Sequence, residues 1–265
     1  MKPNKIQTAA CLLGTVFVMG NTIASYGQKP ANLIPELLQE FFMNEPVFAQ
    51  QKNEFQVTVK PAWRKTSSSP SSLHLPVLAE FGITDRLQVE LSVPIQFNRR
   101  ASQQQVHEKD HPEAGLLYSI LKGNAPFALS AGLELAWSTA KQQKETGNPG
   151  NGLAWEPVLI LARQFGTIQI HTHLSAEIKN RETEFMYGIA AATRLGNWLP
   201  TMEINGEGQA ISTISVTPGV IWKGVDDFEF GLGLTKGNSF WVGTLMITYE
   251  FSFGRNKTSA QIHGQ

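Results

Sequence analysis

His171 and His173 stand two positions apart, and Ser175 and Glu177 continue the same spacing; no other stretch of the chain comes so near a chemical constellation. Two histidines on one face of an extended segment can ligate a metal, and a serine beside them raises the possibility of a hydrolase. Neither reading gathers its remaining parts. No serine-nucleophile motif surrounds Ser175, and the glycine-bearing fragments NPGNG and LGLTKGN lack the strand, glycine spacing and helix of a phosphate loop. The expectation is therefore no catalytic residue, no metal site, no cofactor and no enzyme, with the histidines serving as polar residues of a wetted surface.

The broader chemistry is electrostatic. Glu80, Glu90, Glu134, Glu156, Glu177, Glu203, Glu207, Glu229 and Glu250 fall on the polar side of alternating segments, as His171 and His173 do. Lys60, Arg86, Lys179 and Arg194 are the basic residues expected to join them. If the polar sides line a water-filled lumen, this set is either a cation-favouring or polar-solute passage or a lattice of Glu with Arg and Lys that braces the wall.

The elements that must position these groups follow from periodicity. From Leu87 to Phe97 every odd position is apolar and every even one is Gln, Glu, Ser or Pro, which is the period of a strand with one greasy face. Residues 72 to 81 repeat the pattern, and Gly82-Ile83-Thr84-Asp85 supplies a tight turn between the two. About twelve such segments of roughly ten residues follow Glu54, the length a tilted strand needs to cross a bilayer. Short turns (GITD, KGNAP, QFG, LGN, KGVDD) alternate with longer polar links such as residues 98 to 112 and 138 to 153. That parity is the plan of an outer-membrane barrel with both ends of the strand array on the short-turn side.

Aromatic residues collect near strand ends, among them Trp63, Trp137, Trp155, Phe165, Trp198, Trp222, Trp241, Tyr249 and Phe253, as expected of girdles at two membrane surfaces. Gly188, Ala190, Ala192, Gly219, Gly231 and Gly233 point to the polar side on neighbouring segments and leave space along one wall. A barrel of intermediate strand number then has a narrow lumen, suited to a small solute or to one acyl or aromatic chain.

The predicted fold class is all-β, a transmembrane antiparallel up-and-down β-barrel of about 12 strands, with a short N-terminal amphipathic helix. That helix is read from Leu33, Leu37, Leu38, Phe41 and Phe42, which recur at helical spacing with Pro35 near the start and Pro46 after the end, and it could dock under or inside the barrel. Residues 1 to 25 read as a secretion signal, with Lys2 and Lys5 before an apolar run and small residues at Ala24 and Ser25; Val47-Phe48-Ala49 is an alternative cleavage site. The domain plan is a signal over 1–25, an N-terminal extension over 26–53, the barrel over 54–253 and a polar tail over 254–265.

Composition is consistent with this plan. The formal charge is +0, so the broad positive field of a nucleic-acid binder is missing. The only cysteine, Cys11, lies in the signal. The expected partners are outer-membrane lipid, a small-molecule solute and the barrel-assembly machinery during insertion; the oligomeric state is left open.

Several fragments together resemble a family of Gram-negative outer-membrane barrels known as phenol meta-degradation pathway outer-membrane proteins, or simply as transporters. They are AEFGITDRLQVELSVPIQF (79 to 97), GLLYSILKG (115 to 123), His171-Thr172-His173-Leu174, LPTMEINGE (199 to 207) and TPGVIWKGVDDFEFGLGLTKG (217 to 237) with the final aromatic strand. The resemblance implies a channel or transporter in the outer membrane of a Gram-negative bacterium that passes or binds a small apolar or aromatic solute. It brings no catalytic residues and does not cover residues 28 to 51. A structural or surface-recognition barrel with a plugged lumen, acting through its long loops, is the alternative.

Overall fold

The computed structural model describes residues 34–67, 71–97, 111–122, 126–137, 153–179, 182–208, 213–225 and 227–253. The signal, the polar tail and most of the long links lie outside them. The strands are β1 (Glu54–Val59), β2 (Ala62–Thr66), β3 (Ser72–Gly82), β4 (Leu87–Phe97), β5 (Glu113–Leu121), β6 (Ala128–Trp137), β7 (Leu153–Phe165), β8 (Ile168–Lys179), β9 (Glu182–Thr193), β10 (Trp198–Glu207), β11 (Thr213–Val225), β12 (Phe228–Lys236) and β13 (Phe240–Ser252). Every pairing is antiparallel, and each strand from β3 to β13 lies beside its neighbours in sequence.

β1 and β2 are two halves of one stave, because both pair with β3 on one side and β13 on the other. Pro61 lies between them and has no N–H to give the ladder, yet its carbonyl still accepts from Leu245 at 2.9 Å. The result is a closed barrel of twelve staves with no free edge, as the sequence pattern predicts. The turns on one rim are tight. Gly166 and Gly196 adopt φ of 59° and 64°, a left-handed conformation that glycine reaches without a Cβ clash.

Burial alternates along the staves with the predicted phase. In β7 the odd residues Leu153, Trp155, Pro157 and Leu159 are exposed, and the even residues Ala154, Glu156, Val158 and Ile160 are buried. Exposed Leu91, Leu116, Leu133, Ile189, Leu232 and Trp241 carry the apolar outer surface, with Trp63, Trp137, Trp155 and Trp241 toward one rim and Phe165, Trp198, Tyr249 and Phe253 toward the other. No helix among the described residues is long and apolar enough to cross a membrane. Strands alone make the wall.

Among the described residues, the two larger clusters of buried apolar side chains lie inside the barrel, between the wall and residues 34–50. Leu37, Leu38, Phe41 and Phe42 pack against Ala190, Ala192, Leu199, Ile221 and Met246, while Ile34, Val47 and Ala49 pack against Leu117, Ala128, Val158, Ile160 and Ala162. The helix expected here does not form among the described residues: 34–50 contains only bends and irregular backbone. The N–H groups of Gln39, Phe42, Met43, Asn44, Ala49 and Gln50 are taken by side chains of the wall instead of by carbonyls one turn back, as the next section describes.

Candidate functional site

The site is the inner face of the barrel together with the loop seated in it. Both ends of that loop lie at the tight-turn rim. Pro35 O accepts from Gln169 Nε2 at 2.7 Å near the start of β8, and Asn53 N donates to Gly82 O at 2.8 Å at the end of β3. Between these ends the chain rises to an apex at Phe42–Asn44, level with the middle of β9 to β12, and returns.

Two carboxylates hold the rising arm and apex. Glu203, 0 % exposed, accepts the backbone N–H of Phe42 on Oε1 at 2.9 Å. Its Oε2 accepts Met43 N and Asn44 N at 2.9 Å and Asn44 Nδ2 at 2.8 Å. Glu229 accepts Gln39 N on both oxygens, at 3.0 and 3.2 Å, while Lys223 Nζ meets the same carboxylate at 2.9 Å. Glu40 of the loop pairs with Lys60 at 3.2 Å. Hydrogen bonds to charged groups are the stronger kind, and here they replace the internal bonds a helix would make.

Neutral groups hold the returning arm. Val47 O accepts from Ser130 Oγ, Ala49 N donates to Ser119 Oγ at 3.3 Å, and Gln50 N donates to Gln88 Oε1 at 2.8 Å. Gln50 Nε2 donates to Gln56 Oε1 at 2.8 Å, and Gln56 and Gln88 both donate to Glu80. This amide lattice explains the buried Glu80.

The small residues that promise space along one wall do leave it, and the loop occupies it. A Cβ at Gly219 would run into Phe42 Cε2, one at Gly231 or Gly233 would lie 2.9 Å from the same ring, and one at Gly188 would run into Asn44 Oδ1. Close approach of the loop to β9, β11 and β12 requires glycine at these positions.

The remaining candidates are placed as follows. Glu134 and Glu156 face each other across β6 and β7, and both are buried. Glu177 faces Glu184 across β8 and β9, with Lys179 at the long-loop end of the same strand. Glu90 lies against Gly115, and Glu207 is half-buried at the long-loop end of β10. Glu250 sits near the tight-turn rim opposite Gln56. His171 is buried, its Nε2 2.8 Å from Gln169 Oε1 and its ring edge-on to Phe41 at 4.9 Å. His173 points the same way one pair further up, against Gly188. Among the described residues no group of three or more His, Cys, Asp or Glu is arranged to hold a metal.

Arg86 and Arg194 are not in the wall. Both are exposed in tight turns, where Arg86 Nη1 donates to Ile120 O at 3.4 Å and Arg194 Nε to Gly196 O at 3.3 Å. Each precedes or follows its strand by one residue, so the alternation that orients a side chain no longer applies. The cations that do face inward among the described wall residues are Lys60, Arg64, Lys179 and Lys223, and carboxylates outnumber them. Sequence reasoning missed Gln56, Gln88, Gln169, Ser119 and Ser130 as anchors of the loop; their only signal was burial-phase polarity without charge.

No protein-family model and no curated protein matches the chain. Solved structures match the fold. The COG4313 outer membrane channel from Pseudomonas putida F1 superposes with a TM-score of 0.57 at 10% identity, covering 78% of this chain and 100% of that one. The NanC porin gives 0.55 at 8% identity over 73% of this chain and 98% of its own, and the KdgM porin 0.54 at 10% over 73% and 99%. The fold is that of outer-membrane β-barrel channels.

Proposed function

We propose that the chain is a narrow outer-membrane channel for a small solute, closed in the conformation described by its own residues 34–50. The observation that carries this reading is that the loop adds no strand to the wall. Twelve staves close without it, and its hydrogen bonds to the wall among the described residues run to wall side chains, so its removal is expected to leave the barrel intact. A girdled apolar exterior supports a bilayer setting for the barrel, and short turns are the periplasmic rim in such barrels.

The lining bears on the solute. Like charges repel, and an acidic wall raises the local concentration of cations over anions. The KdgM porin has been solved in complex with oligogalacturonate, a chain of carboxylates; the lumen here suits neutral or cationic solutes. The specific identity of phenol-related cargo is carried by the sequence resemblance alone.

A second reading, a permanently plugged barrel acting through its long loops, is favoured by the depth at which the loop sits. Liposome swelling with a small neutral sugar separates the two: swelling above that of protein-free vesicles is expected, and none would favour the plugged barrel. Reversal potentials across a salt gradient should show cation preference; anion preference would overturn the lining argument. The mature protein should also begin before Ile34, since cleavage after Ala49 would discard the loop. Intact mass of the exported chain checks this.

A further inference from the structure

Phe42 sits in the wall as a bound molecule would. Its ring fills a recess floored by Gly219, Gly231 and Gly233 and bordered by Met246, whose Cε would lie 3.2 Å from a Cβ at Gly231. Its N–H donates to Glu203 Oε1 at 2.9 Å. Among the described residues, the partners of that buried carboxylate all come from the loop. When the apex withdraws, the wall presents a carboxylate beside a ring-sized recess.

A second observation points the same way. Thr201, 5 % exposed, carries a hydroxyl with no hydrogen-bond partner, and that oxygen would lie 2.8 Å from a Cβ at Gly219, at the edge of the recess nearest Phe42 Cε2. A plain phenyl ring leaves this group unmet. A ring bearing a hydroxyl would meet it.

Within Phe42 the donor and the ring are joined as N–Cα–Cβ–aryl. We propose that this wall is a binding site for 2-arylethylammonium ions, with Phe42 as the resident stand-in that such an ion displaces. The loop offers Glu203 neutral amide donors, whereas an ammonium offers three N–H donors and a full positive charge, and charge-assisted bonds are the stronger. The ring keeps the fit that three glycines provide. An anion of the same shape meets a like charge.

This inference rests on the lumen being a solute passage, and its test is kept separate from passage. Calorimetric titration of the full-length protein in detergent would compare phenethylammonium, 3-hydroxyphenethylammonium, 3-phenylpropionate and propylammonium. The two arylethylammonium ions are expected to bind about tenfold or more tightly than the other two. E203Q should erase that margin, and T201V should remove only the gain from the ring hydroxyl. Retention of the barrel fold is checked by heat-modifiable gel mobility. Equal binding of all four probes, no binding at all, or a margin that survives E203Q would overturn the proposal and leave the recess as an anchor for the loop alone. Sugar-driven swelling without amine binding sinks this site and not the channel; amine binding without swelling does the reverse.

Discussion

The outer and inner faces of the same strands are specified in different ways. On β10 the outward Met202 and Ile204 touch nothing particular and need only be apolar, while the inward Glu203 between them accepts four hydrogen bonds from one loop. On β11 and β12 the outward Val216, Leu232 and Leu234 are exposed, while inward Gly219, Gly231 and Gly233 leave no room for a Cβ. The outer face answers to a solvent, which tolerates any apolar shape. The inner face answers to a specific piece of chain, and its residues are matched to it one by one.

The contrast can be tested by substitutions of graded effect. Leu133→Arg on the outer face is expected to destabilise the barrel by about 2–4 kcal/mol near the bilayer midplane, read from denaturant unfolding in lipid vesicles. Wild-type stability would reverse the assignment of faces. Next, Glu203→Gln removes the charge that the apex bonds to, weakening loop anchoring by about 1.5–3 kcal/mol. Faster proteolysis within 34–50 is expected while the barrel melts as before. Unchanged cleavage would mean that packing alone holds the loop. Smaller still, Gly219→Ala pushes a methyl into the Phe42 ring and should raise single-channel current by a few-fold without loss of the barrel; an unaltered current would show that the ring yields without freeing the lumen. Least of all, Leu133→Ile should change stability by no more than about 0.5 kcal/mol. A larger shift would mean the outer face is matched to something more exact than lipid.

The same contrast explains what could be read from sequence. The wall was legible because each strand alternates by itself: the segments of 72 to 97 and 168 to 179 state their phase within a dozen residues. The tight turns and the inward glycines were legible for the same local reason. The loop was not. Leu37, Leu38, Phe41 and Phe42 have the spacing of an amphipathic helix, but a segment enclosed on several sides places apolar residues toward each side in turn, and the spacing no longer implies a helix. What decides the backbone of Phe42 is a carboxylate 161 positions later in the chain, which no window of neighbouring residues contains. Arg86 and Arg194 misled for a related reason, since a period-two rule ends where the strand ends. Glu203 and Glu229 were picked out as lumen residues and the segment as one that could dock inside, yet their pairing was not legible, because a list of polar positions does not say what meets them.

One geometric detail of the inserted segment bears on assembly. Pro35 and Gln51 both stand at the tight-turn rim, so the segment enters the cylinder as a bight, like a doubled rope pushed into a pipe. The described segment enters and leaves by one rim, so it has a path back out toward that same rim. On the channel reading, clearing and refilling such a lumen would part no strand of the cylinder from its neighbour.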